Sequence, residues 1–204
     1  MIAYVESNFV LEIALGQESS QPADEIVNLA EDGELKLVFP SFALSEPFTT
    51  LEHRTRERSR LYSSLTEHLK QLSRSVPHQA DVLTLEPMLP TLLQIGRRED
   101  DRLAEITERL LTVGRSIPMD RQSFLLSREL RRRLRLSAPD AIILAAVLTD
   151  LAGQESNEQK WFFSRNWKDF ADPRIVDRLH SHNCRYAENI ANGLAEIRAA
   201  LAQR

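Results

Sequence analysis

Three short, apolar, β-rich segments separated by long helical stretches constrain this chain more than any other feature. They are "IAYV" (residues 2–5), "LKLVFP" (35–40) and "KWFFS" (160–164). The first reads as a buried strand, the second stops at Pro40, and the third carries bulky aromatics. Two weaker segments, "SIPMD" (116–120) and "NCRY" (183–186), read as a connector or strand and as a last edge strand. Segments this far apart, joined through helices, pair in parallel with right-handed crossovers rather than as hairpins. The class is therefore α/β, with many helices and few strands.

The helices follow from apolar spacing and punctuation. A short one covers 8–15, with Phe9, Val10, Ile13 and Ala14 on one side and Gly16 at its end. A second covers about 22–32 and ends at Gly33. A third begins with Ser41 as N-cap and carries Glu46. A helix is predicted over 121–134, and a strongly apolar one over 136–153, with Ser137 as cap, Pro139 in its first turn and Gly153 at its end. "RNWKDFADP" reads as a turn, "RIVDRL" as a short helix and "ENIANGLAEIRAALAQ" as a closing helix. Between about 48 and 112 the pattern is long, charged and helical. Leu61, Leu65, Leu69 and Leu72 recur at three- and four-residue steps, as do Leu103, Ile106 and Leu110. "VPHQ" and "EPMLP" interrupt it. With few aromatics and no strand of its own, this stretch reads as a helical insertion in a single domain spanning 1–204.

Bulk properties narrow the function classes. No apolar run approaches the roughly 18 residues needed to cross a bilayer, and Glu6 and Glu12 break the N-terminal apolar stretch, so neither a membrane span nor a signal peptide is predicted. The one cysteine, Cys184, cannot form an internal disulfide and reads as a small core residue, which fits a reducing cytoplasm. The net charge of −4 excludes a global basic field. Basic residues nevertheless cluster at 53–60, 96–98 and 130–136, as solvated helix faces or as a phosphate track beside an acidic site. The five scattered histidines suggest no metal site.

In a parallel α/β sheet, ligands bind beyond the carboxyl ends of the strands. Four acids fall there. Glu6 follows the first strand, Glu46 lies in the helix after the second, Asp140 lies in the first turn of the apolar helix, and Asp169 follows the strand at 160–164. Singly, each has a plain reading. Glu6 could be a solvated strand end, Asp140 a helix-start residue and Asp169 a turn residue, while Glu46 sits among apolar neighbours and wants a partner. Together they would repel and take up protons unless a divalent cation joined them. Hard oxygen donors suit Mg²⁺ or Mn²⁺ rather than zinc.

The same residues carry a family likeness. "YVESNFVLE" resembles the opening of PIN-domain nucleases, a strand ending in an acid, then Ser or Thr, then Asn. "FPSFALSEP" resembles their second motif, "IPMDRQSFLLSRELRRRLRLSAPDAIILAA" the third and "FFSRNWKDF" the fourth, all in order. The chain departs in having Glu6 where aspartate is usual, Asn166 where aspartate is frequent, and a helical stretch much longer than that of compact PIN toxins. The likeness, to a VapC-like branch, implies a three-layer α/β/α fold with a small parallel sheet. It implies a Mg²⁺- or Mn²⁺-dependent ribonuclease that leaves 5′-phosphates, with Glu6, Glu46, Asp140 and Asp169 as catalytic metal ligands. Asn8, Ser164 and Asn166 would orient ligands or water, and Arg165, Arg131, Arg132, Arg133 and Arg135 would meet the RNA backbone. An antitoxin protein and a second copy of the chain are the implied partners. Two rivals stand beside it. One is a lapsed PIN-like module that binds RNA or protein. The other is an aspartyl-phosphate phosphohydrolase, which Glu6 in the nucleophile's place argues against.

Overall fold

The computed structural model describes residues 1–154 and 158–203. Five strands form one sheet: β1 (Ile2–Val5), β2 (Lys36–Pro40), β3 (Arg115–Ile117), β4 (Lys160–Phe163) and β5 (Cys184–Ala187). Their order is β3-β2-β1-β4-β5 and every neighbouring pair is parallel. All five carboxyl ends therefore share one edge. The connector-or-strand segment is a strand, and the last segment is the edge strand β5.

The chain divides into two compact units, Met1–Pro47 with Leu103–Arg204, and Phe48–Arg102. The first holds the sheet. Its helices are α1 (Ser7–Ala14), α2 (Ser20–Glu31), the start of α3 (Ser41–Leu72), the end of α5 (Leu89–Val113), α6 (Arg121–Leu134), α7 (Ala138–Ala152), α8 (Trp167–Phe170), α9 (Pro173–His180) and α10 (Ile190–Leu201).

Side-chain alternation along the strands explains the layering. Ile2 and Tyr4 of β1, Val38 of β2 and Phe162 of β4 point to one face. There they join Ile143, Leu144, Val147, Leu148 and Leu151 of α7, Leu130 of α6, and Ile175 and Leu179 of α9. On the other face Phe163 meets Phe9 of α1, with ring centroids 6.2 Å apart, and Trp161 donates its indole N–H to Glu196 of α10 at 3.0 Å. The result is three layers, α/β/α. α7 is apolar around most of its girth because it lies under both the sheet and other helices.

The expected cap at Ser137 is in place, whereas Ser41 is the first residue of α3 rather than the residue before it. Ser137 accepts from the Asp140 amide at the start of α7, and Asp120 and Ser123 form a reciprocal capping box at α6. Cys184 is fully buried in the core, and burial pushes its thiol up to about 12. One local reading needs correction: the segment read as a turn after β4 contains the helix α8. Phe170 at its end is buried edge-to-face against Phe162, 5.3 Å away, and this anchor closes the turn into a helix.

The second unit is helical throughout. It contains the rest of α3, a 3₁₀ turn at Val76–His78, α4 (Gln79–Leu85), a second 3₁₀ turn at Glu86–Met88, and the first part of α5. The two expected breakers are thus tight turns. A small apolar cluster of Leu69, Val82 and Leu89, with Tyr62 and Leu65 against it, forms its own core. Arg58 and Glu99 pair through two hydrogen bonds of 2.6 and 2.9 Å.

Candidate active site

Register places the first acid. Val5 of β1 pairs with Phe163 of β4, so the next residues along each strand, Glu6 and Ser164, leave the sheet side by side. Both are 1% exposed. Glu6 is not a solvated strand end. Its extended backbone makes it the N-cap of α1, and Oε2 accepts the Asn8 amide at 2.9 Å. Among the described residues Oε1 is buried with no hydrogen-bond partner. An unpaired buried carboxylate oxygen costs several kcal/mol in an ordinary core, roughly 1–3 kcal/mol even for a neutral group. Burial pushes the Glu6 pKa up to about 7. The Asn8 amide and the Ser164 hydroxyl oppose that rise, and the charges of Asp140 and Glu46 add to it.

Three of the four expected acids lie close enough to feel one another's charge, Glu46 and Asp140 both acting on Glu6. Glu46 arrives from the first turns of α3, half-buried, and accepts a short hydrogen bond from the Ser7 hydroxyl. Asp140 sits in the first turn of α7, at the partially positive start of the helix. Its Oδ2 accepts from the Ser137 hydroxyl and its Oδ1 from the Asn166 side-chain amide at 3.0 Å. Asn166 is itself set by its own amide, which donates to Ser164 Oγ at 3.1 Å. A chain of contacts thus runs from Glu6 through Ser164 and Asn166 to Asp140.

Asp169 is placed differently. It lies in α8, half-buried, and its side chain makes no hydrogen bond or ion pair with the other three among the described residues. Nor do any three Asp, Glu, His or Cys side chains among the described residues stand close enough to form a ready-made metal cage. In donor chemistry the site still fits a hard divalent cation: all oxygen, with one buried oxygen awaiting a partner. In spacing, Asp140 and Glu46 are electrostatic neighbours of Glu6.

The basic residues sort less simply. Arg165 is partly exposed, but its guanidinium pairs with the buried Glu12 of α1 and lies 3.9 Å from Glu18. With Asn8, Gly16, Gln17 and Asn166 these residues line an open cleft of about 730 Å³. Arg131, Arg132, Arg133 and Arg135 are exposed around the end of α6, which leads directly into the α7 start bearing Asp140. Arg133 pairs with Glu129 at 3.0 Å, and Arg135 adopts a left-handed backbone that ends α6.

Sequence reasoning missed the supporting hydroxyls of Ser7 and Ser137 toward the acids, and the buried Glu12. Ser137 was expected only as a cap, and Glu12 carried a signal of its own. It lies on a short helix among Phe9, Val10 and Ile13, where a carboxylate needs a cationic partner.

A family model described as the PIN domain matches residues 4–170, a span that holds all four expected acids. No curated protein matches the chain.

Proposed function

The chain belongs to the PIN-domain family, whose members are generally nucleases and typically use divalent metals; on that premise we propose that it is a metal-dependent ribonuclease acting on single-stranded RNA. The observation that carries this reading is the meeting of Glu6, Glu46 and Asp140 at the carboxyl edge of the sheet, with one Glu6 oxygen buried and unpartnered. Glu6, Glu46, Asp140 and, through water, Asp169 would hold Mg²⁺ or Mn²⁺. When bound, such an ion lowers the pKa of water and offsets charge on the scissile phosphate.

The chain's own groups prepare that chemistry. Ser7 fixes Glu46, while Ser137 and Asn166 fix both oxygens of Asp140. Neither carboxylate then needs to reorganise when a phosphate arrives. Hydrolysis adds water across the P–O3′ bond and leaves a 5′-phosphate and a 3′-hydroxyl. The recessed position of Glu6 suits an unpaired, flexible strand better than a rigid duplex. Arg131, Arg132 and Arg135 are placed to meet backbone phosphates, and Arg165 to do so once released from Glu12. As the toxin of a toxin–antitoxin pair, a cytoplasmic role, the protein would be silenced by a partner that masks this acidic edge, and a second copy of the chain could pair with it.

The test is direct. With Mn²⁺ the purified protein cuts single-stranded RNA, EDTA stops the cut, and Asp140→Asn lowers the rate at least 100-fold (about 3 kcal/mol at the barrier) with an unchanged circular dichroism spectrum. Equal cutting in EDTA would overturn the metal assignment. A second reading, a lapsed module that binds RNA or protein, draws on the spacing of the acids and on Glu6 and Asn166. It predicts RNA binding without cutting and no stabilisation by Mn²⁺.

A further inference from the structure

We propose that the indole of Trp167 is a stacking platform for an unpaired base of the strand that enters the acidic site. The proposal rests on the ribonuclease reading for the identity of the strand. The chain has two tryptophans. Trp161 is 2% exposed and bonded to Glu196, as a structural tryptophan should be. Trp167 is 59% exposed. Leaving so large an apolar surface in water has no structural return, because nothing in α8 needs it: Phe170 supplies the anchor into the core.

Its neighbours explain the placement. Ser164 adjoins Glu6, Asn166 holds Asp140 at 3.0 Å, and Trp167 follows immediately. The backbone there is fixed, with the Trp167 amide donating to the Arg165 carbonyl at 2.9 Å and the Phe170 amide to the Asn166 carbonyl at 2.9 Å. The ring therefore projects from a rigid support one residue from the acid-holding amide. The Lys168 ammonium lies 6.0 Å from its centroid. An aromatic surface beside a cation matches the alternation of base and phosphate along a polynucleotide. It selects an unpaired strand, since a duplex already occupies both faces of each base. A protein partner would find the same apolar ring, but it would not require the neighbouring cation.

The experiment uses the full chain in EDTA, so binding is read without cutting. Tryptophan emission excited at the red edge is followed while a single-stranded RNA oligonucleotide, or the same sequence as a duplex, is added. The expected result is quenching, and protection from acrylamide, by the single strand and not by the duplex. Trp167→Ala should weaken single-strand binding about 10- to 100-fold, the range that one base–aromatic stack supplies, and Trp167→Phe should restore most of it. The remaining emission of Trp161 reports whether each variant is folded. Equal binding by Trp167→Ala, or equal quenching by the duplex, overturns the proposal. Failure here alongside Mn²⁺-dependent cutting sinks the platform and leaves the nuclease. Quenching without any cutting sinks the nuclease and leaves the platform.

Discussion

Burial pushes the Glu6 carboxyl from an ordinary 4.5 to about 7, and this ties the site to stability. As pH rises from 4.5, the unfolded chain gives up this proton first, while the folded chain keeps it. The stabilisation is therefore full below about 4.5 and is lost as pH rises through 7. At about 1.4 kcal/mol per pH unit over that interval, the swing is on the order of 3 kcal/mol. Glu6→Gln, measured in EDTA, should flatten the stability profile between pH 4.5 and 7 and raise stability at pH 8 by up to that amount. Parallel profiles for the two proteins would show that Glu6 is hydrated and ordinary. The same substitution should remove the stabilising response to Mn²⁺, because an amide offers the ion no charge.

The strand that delivers Ser164 to Glu6 is held by a close helix contact. Gly193 of α10 faces Phe163, and a Cβ at that position would lie 2.4 Å from the ring's Cε1. No rotamer adjustment of a fully buried phenylalanine absorbs that overlap cheaply. Gly193→Ala should therefore lower stability by about 1–3 kcal/mol through overpacking, despite the gain of about 1 kcal/mol in helix propensity. Chemical denaturation measures the sign; a stabilised variant would mean that α10 and β4 have room to part. α3 illustrates a different economy. It runs from Ser41 to Leu72 with Pro47 inside, so the turn bearing Glu46 lacks one backbone hydrogen bond, and the Ser7–Glu46 contact supplies a tie from another element. These elements were legible beforehand because apolar spacing, caps and breakers are local. α8 was not, since only the distant Phe162 makes its short segment worth folding.

The two compact units differ in how much they bury. Met1–Pro47 with Leu103–Arg204 encloses a core cluster drawn from β1, β2, β4, α6, α7 and α9, while Phe48–Arg102 has the small cluster of Leu69, Val82 and Leu89. Opening free energy follows buried apolar contact. Native-state hydrogen exchange should accordingly show β1 and α7 amides opening only with global unfolding, and amides between Phe48 and Arg102 opening at lower free energy. Uniform protection across the chain would contradict this. No helix among the described residues is long and apolar enough to cross a membrane. The sequence by itself determined the α/β class, the parallel pairing and the PIN motifs, because strand composition, helix punctuation and the chain length between strands are properties of neighbouring residues. Only the tertiary structure decided which acids meet. Asp140 finds Asn166, Glu46 finds Ser7 and Arg165 is claimed by Glu12. Such pairings depend on strand register and on angles between elements remote in the chain, and spacing along a sequence does not encode a distance across a sheet edge.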